Sequence, residues 1–356
     1  MAIAGVLAVA AASALCLSGC ANIGYYWQSA TGHLEMMAAA RPVGEWLDNN
    51  QTPERLKERL ALSQRIRNFA VTELKLPDNP SYRRYADLHR TAVIWNVVAA
   101  PRYSIKLKES CFPVTGCVGY RGYFNEVKAR EEAARLRSEG YEASVYPVPA
   151  YSTLGWMNWA GGDPLLNTFI NYPEGELARL IFHELAHQVL YAKNDTTFNE
   201  SFATAVERLG GARWLSTQAS ETARQEYAQY NGRRLQFRAL VQATRKRLEK
   251  IYQDSSGDER EAQKQAAMRD FREEYAKLRA SWPGPATRYR SYDQWVAEAN
   301  NASFGAQAAY DELVPGFEAL FAREGGDWQR FYDAAKRLAA LPKGERHQIL
   351  KEIGGA

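Results

Sequence analysis

Between residues 25 and 98, apolar positions recur at helical spacing. Leu56, Leu60, Ser63 and Arg67 lie three or four apart on one face, and Leu74 and Leu76 lead into the breaker Pro77-Asp78-Asn79-Pro80. A second helix is expected over 82–98. The period then shortens: Tyr103-Ser104-Ile105-Lys106-Leu107 alternates, 120–124 is aromatic and 141–148 is rich in Tyr and Val, which predicts short strands. Asn125 can cap a helix ending at Gly140, so a small mixed sheet with a helix across it is expected. Beyond Trp156 the pattern is helical again. Two long charged stretches, 217–254 and 258–280, meet at Asp254-Ser255-Ser256-Gly257-Asp258 and read as an antiparallel helical hairpin with a solvated outer face. Trp282-Pro283-Gly284-Pro285 ends it, and 289–356 is helical with Phe317, Phe321, Trp328, Phe331 and Tyr332 as aromatic anchors. The expected class is α+β, mainly α, without internal repeats. One domain spans 20–356, with an N-terminal helical part (25–100), a sheet and helix pair (101–215), and the hairpin with C-terminal helices (216–356).

The chain has 356 residues, 46% hydrophobic and 24% charged, which excludes disordered, collagen-like and multi-span membrane classes. Lys and Arg number 45 against 41 Asp and Glu, and the surplus of +4 is too small for a nucleic-acid-binding stripe. No nucleic-acid partner is expected. Residues 2–19 carry no charge and read as an export signal rather than fold. They end in Leu17-Ser18-Gly19-Cys20, which resembles the lipobox of bacterial lipoproteins. The resemblance implies removal of a signal peptide over 1–19, lipid attachment at Cys20 and, with Ala21 following, the periplasmic face of the outer membrane. No Lys or Arg precedes the apolar run in this sequence, so either the usual basic start of such a signal is missing or the chain begins further upstream.

Export reorders the four cysteines. Cys16 leaves with the signal and Cys20 carries lipid, so Cys111 and Cys117 remain in an oxidising compartment and are expected to close a short disulfide loop around Pro113 and Gly116.

The chemistry is expected in Ile181-Phe182-His183-Glu184-Leu185-Ala186-His187-Gln188. Two of only five histidines stand four apart on one helix face, so their imidazoles can converge on one cation, with Glu184 beside them to take a proton from water. His33, His89 and His347 are remote in sequence, and a downstream carboxylate is the better third ligand. Asn199-Glu200-Ser201-Phe202-Ala203 offers Glu200 on a second helix, and Glu207 lies two turns further on the same face. Glu200 can also be read as the last residue of a capping box, Thr197-Phe198-Asn199-Glu200.

His-Glu-Leu-Ala-His-Gln followed by Asn-Glu-Ser-Phe-Ala resembles the gluzincin metallopeptidases, in particular the zinc aminopeptidases. The resemblance implies a gluzincin-like core, one Zn2+ per chain held by His183, His187 and Glu200, and Glu184 as general base. It also implies a later Tyr or His that stabilises the oxyanion, for which Tyr310 is the candidate. Over most of the mature chain the sequence further resembles a bacterial lipoprotein family described as "putative aminopeptidases". That likeness rests on the lipobox, residues 111–123, Ala150-Tyr151-Ser152-Thr153-Leu154-Gly155-Trp156, the zinc motif and Asn300-Asn301-Ala302. Two departures leave alternatives open. His187 and Glu200 are separated by 12 residues, fewer than in the large zinc aminopeptidases, whereas 19 residues separate His187 from Glu207, as in thermolysin-like enzymes; Glu207 is therefore an alternative ligand or a residue behind the metal. The acidic segment that pairs with a substrate's free ammonium in the large aminopeptidases is missing. Ser152-Thr153-Leu154-Gly155-Trp156 stands nearest to it as a possible edge strand without a carboxylate.

The expected function is therefore zinc-dependent hydrolysis of peptide bonds in the cell envelope, with a peptide substrate and attachment to the membrane through Cys20. An endopeptidase, a peptidoglycan-peptide hydrolase and a non-catalytic lipoprotein with a structural metal site are the alternatives. Nothing in the sequence indicates oligomeric state.

Overall fold

The computed structural model describes residues 24–112, 116–155, 157–308 and 312–355; the expected signal peptide, Cys16, Cys20, Trp156 and Tyr310 lie outside them. The chain enters through helix α1 (24–39) and the short elements β1 (Arg41–Pro42) and α2 (Val43–Asp48). Helix α3 (Glu54–Thr72) follows and buries Leu60, Ser63, Ile66 and Arg67, the face that its spacing predicts. Arg67 is tolerated there because it donates to three carbonyls, two of the following breaker and one just beyond it. Nε reaches Ser81 O at 2.9 Å, and Nη2 reaches Pro77 O at 2.7 Å and Asn79 O at 3.0 Å.

The expected helix over 82–98 is not formed. That stretch holds strand β2 (Arg84–Ala86) and the start of β3 (Ile94–Pro101). Trp95 to Ala100 are all buried, so the strand reads as an apolar run interrupted only by Asn96 instead of an alternating one, and its β-branched residues favour the extended chain. The expected strand at 103–107 is a loop. Ser104 N donates to Pro101 O at 3.1 Å and Ser104 Oγ accepts from Lys106 N at 3.0 Å, a side-chain turn that takes the groups a ladder would need.

Strands β4 (Ser110–Phe112) and β5 (Gly116–Val118) form a hairpin in which Cys111 faces Cys117, and the two are disulfide-bonded. Strand β6 (Arg121–Tyr123), helix α4 (Glu126–Ser138) and strand β7 (Tyr141–Val148) complete the larger sheet, with order β6-β3-β7. Asn125 caps α4 through Lys128 N at 3.1 Å. Ala129, Ala133 and Leu136 of α4 cover Trp95, Val97 and Ala99. This sheet is antiparallel throughout rather than mixed. Among the described residues, a parallel pair joins β2 to β8 (Leu165–Leu166) in a second sheet of order β1-β2-β8.

The centre of the molecule is the pair α5 (Glu174–Ala186) and α6 (Thr196–Thr217). Gly210 permits the close approach, since a Cβ there would stand 2.6 Å from Leu74 Cδ1 and 3.0 Å from Phe182 Cδ2. Helix α6 stops at Thr217, and the hairpin begins afresh with α7 (Glu221–Asp254), capped by Ser220, followed by α8 (Gly257–Ala280). The hairpin has its own core of Phe237, Val241, Leu248, Met268, Phe271 and Tyr275, closed by α9 (Arg290–Glu298). After α10 (Asn301–Ala308), helices α11 (Val314–Arg323), α12 (Trp328–Ala339) and α13 (Lys343–Gly354) bring Phe317, Phe331 and Tyr332 against Phe198 and Phe202 of α6. The fold is α+β and mainly α.

Candidate metal centre

Helix α5 starts after Pro173, a residue suited to an N-terminal end, and carries His183 in its last turn, with His187 as its C-terminal cap. Helix α6 starts at Asp195, whose Oδ1 accepts from Phe198 N at 3.2 Å. The capping-box reading of Glu200 therefore does not hold: Asp195 is the cap. Between the helices, Asn199 pins the returning loop by accepting from Ala192 N at 2.8 Å and donating to Ala192 O at 2.9 Å. Ser201 Oγ accepts from Leu313 N at 3.2 Å, and Phe202 and Ala203 are fully buried. The Asn-Glu-Ser-Phe-Ala string is thus a loop clamp, a side chain aimed at α5, a tie to α11 and two core residues.

Asp195 is itself fully buried. It is held by Arg346 Nε at 3.0 Å and His347 Nε2 at 2.9 Å, both from α13. His347 thus serves a structural pair with Asp195 and does not join the cluster of His183, His187 and Glu200. Asp195→Ala is expected to lower stability by about 3–5 kcal/mol, because it strands the buried Arg346 charge and removes a helix cap. Urea denaturation measures the loss.

The structure brings His183, His187 and Glu200 to one point. His183 Nε2 and His187 Nε2 are 3.2 Å apart, and Glu200 Oε2 stands 3.3 Å from the first and 3.7 Å from the second. Bonds of about 2.0–2.1 Å arranged tetrahedrally place donor atoms about 3.3–3.4 Å apart, so these three atoms already define a face of such a site. Among the described residues they form a cluster able to hold a metal ion, with ligand atoms within 4.8 Å of one another.

Glu207 stands behind this face. Its Oε2 accepts from His183 Nδ1 at 3.0 Å, and its Oε1 takes the guanidinium of Arg179, which also donates to Tyr227 Oη at 3.0 Å. A proton on Nδ1 leaves the Nε2 lone pair facing Glu200. Glu207 meets the opposite nitrogen of the ring, so it cannot share a cation with both Nε2 atoms.

Charges follow the same plan. Burial works to raise the Glu200 carboxyl, but His187 and His183 hold it far below the ordinary carboxylate range. Burial is likewise outweighed at Glu207, where Arg179 and His183 hold the pKa at about 2. For Glu184, partly exposed beside the two histidines, burial wins over their pull and its pKa is raised, as a proton acceptor requires.

Two features were not legible in sequence. Asp163, in Gly161-Gly162-Asp163-Pro164, is fully buried and accepts from Thr153 N at 3.1 Å, with Glu184 within electrostatic reach. Ser152 to Gly155 therefore do not form an edge strand but fold inward around a carboxylate supplied from elsewhere. Burial lifts Asp163 from 3.8 to about 6. The folded state thus holds this proton more tightly than the unfolded chain, and the penalty for the buried charge is full above about pH 6 and gone below the unfolded pKa. Asp163→Asn is expected to raise stability at pH 7.5 by at most about 3 kcal/mol and to flatten the dependence between pH 4 and 6, as read by thermal melts across that range.

The second feature is a cavity of about 320 Å³ lined by Cys117, Tyr120, Tyr146, Thr196 and Thr197. Burial and then the charge of Glu200 push the Tyr120 hydroxyl well up, and Glu200 acts on Tyr146 and Tyr191 as well, so the two tyrosines of the cavity lie within electrostatic reach of the cluster. Tyr310, the residue expected from sequence, lies outside the described residues.

A family model described as "Putative aminopeptidase" matches residues 24–350, and the chain belongs to that family. No curated protein and no solved structure gave a significant match.

Proposed function

With that membership as premise, we propose that the chain is a zinc metallopeptidase, an aminopeptidase by family, anchored through lipid at Cys20 on the periplasmic face of the outer membrane. The convergence of His183 Nε2, His187 Nε2 and Glu200 Oε2 carries this reading. Two imidazoles and a carboxylate, with no fourth donor in the cluster among the described residues, match the donor set of hydrolytic zinc rather than that of a closed structural site. Zinc held by these three residues would supply Lewis acidity toward a water molecule and the scissile carbonyl. Glu184 accepts the proton of the attacking water and returns it to the departing amine, and its raised pKa suits both transfers. Glu207 fixes the His183 tautomer, and Arg179 fixes Glu207.

Beside Tyr310, which lies outside the described residues, Tyr120 is a second candidate donor to the developing oxyanion. Of Tyr120→Phe and Tyr310→Phe, the one that removes the donor is expected to lower kcat by about 10²-fold with little change in KM, and the other changes neither. Steady-state kinetics on one peptide compares them.

An endopeptidase is the second reading. The carboxylate of Asp163 is fully buried against Thr153 and offers no seat for a substrate ammonium. Peptides with free and acetylated amino termini separate the readings: an aminopeptidase cleaves the free set alone, an endopeptidase both.

A further inference from the structure

Helix α1 is docked tightly on one side and bare on the other. On its inner side Gln28 accepts from Phe124 N at 3.0 Å and donates to Gly122 O at 3.3 Å. Gly32 leaves no room for a Cβ, which would meet Phe124 Cγ at 2.2 Å. The outer side carries Trp27, 72% exposed, and Leu34, 63% exposed, seven residues apart on one line, with Tyr26 beside them at 45%. Ala30 and Ala38 continue the exposed face, and Glu35 is the only acidic or basic side chain of 24–39 apart from buried His33. A solvent-facing helix is ordinarily polar on this side, whereas Trp, Tyr and Leu are the residues of a membrane interface.

We propose that the outward face of α1, built on Tyr26, Trp27 and Leu34, lies in the headgroup layer of the bilayer that holds the lipid of Cys20. The occupant follows from the chain outside the described residues. Cys20 precedes Gly24 by four residues, which span at most about 14 Å when fully extended, so an acylated Cys20 keeps the first turn of α1 at the headgroups. Among the described residues no helix is long and apolar enough to cross a membrane, so the contact is at the surface.

This placement also orients the cleft. Tyr25, in the same first turn, stacks on Phe112 at 5.5 Å, and the disulfide hairpin of Phe112 supplies Cys117 to the cleft wall. The substrates served first are peptides held at the membrane surface. The membrane placement rests on the proposed acylation of Cys20 but not on catalysis; the substrate preference rests on both.

The test uses the full chain, acylated and reconstituted in phosphatidylethanolamine and phosphatidylglycerol vesicles, with nitroxide labels at Trp27→Cys, Leu34→Cys and, on the hairpin, Leu235→Cys. Labels at 27 and 34 should collide with a water-soluble nickel chelate at least about fivefold less often than the label at 235, and more often with oxygen. Equal chelate access at all three positions overturns the proposal. Protection already present without vesicles also overturns it and indicates a second protein chain on this face. Mass analysis of the N-terminal peptide separates the premises: an unacylated Cys20 defeats the anchor and this proposal together, whereas an acylated chain with water-exposed labels defeats the proposal alone. In addition, Trp27→Ser with Leu34→Ser should leave cleavage of a soluble peptide unchanged and slow cleavage of a lipid-tethered one; equal slowing of both contradicts the orientation.

Discussion

Glu184→Gln is expected to lower kcat by about 10²–10⁴-fold while zinc remains bound at one per chain. The carboxylate stands beside His183 and His187 without belonging to the three atoms that converge, so its amide should leave the donor set intact. Glutamine keeps the size of the side chain but cannot accept a proton at neutral pH. Turnover should fall with little change in KM, because proton transfer belongs to the transition state rather than to substrate binding. Stopped-time peptide assays together with metal analysis of the same preparation read both halves. Loss of zinc along with activity would place Glu184 among the ligands instead.

The second large effect distinguishes the two downstream carboxylates. Glu200→Ala should abolish stoichiometric zinc at micromolar metal and all turnover, since it removes one of three donors. Glu207→Gln should weaken zinc by about 10–100-fold and leave residual activity that excess metal restores, as expected for a residue that orients a ligand through its other nitrogen. Glutamine is the better probe here because Glu207→Ala would also take from the nearly buried Arg179 the closer of its two carboxylates, leaving Glu176 Oε1 at 3.8 Å, and so cost stability as well as metal affinity. Competition with a fluorescent zinc chelator measures both variants. A loss at Glu207 as complete as that at Glu200 would contradict the assignment.

The His pair was legible because its geometry is local: four residues on a helix put two imidazoles on one face wherever that helix packs. Glu200 and Glu207 were both legible as carboxylates on that side of α6, but the choice between them was not. It depends on which nitrogen of His183 each one meets, and only the packing of α6 on α5 decides that. Asp163 escaped for the same reason, since its partners Thr153 and Glu184 are brought to it by tertiary structure. The strand of 94–101 was missed because burial on both faces erases alternation, and the loop at 103–107 was overcalled because alternation outlasted the Ser104 turn. The hairpin, the Asn125 cap and the strand Tyr141–Val148 were legible because local capping and residue preference agree there with the fold.

The central claim is that peptide bonds are hydrolysed at His183, His187 and Glu200 with Glu184 as the base. It is tested most directly by incubating a diverse peptide library with the zinc-loaded wild-type chain and with the zinc-loaded Glu184→Gln variant, and sequencing the products by mass spectrometry. The account predicts new termini in the wild-type digest alone. Identical product profiles from two preparations that both hold one zinc per chain would contradict it.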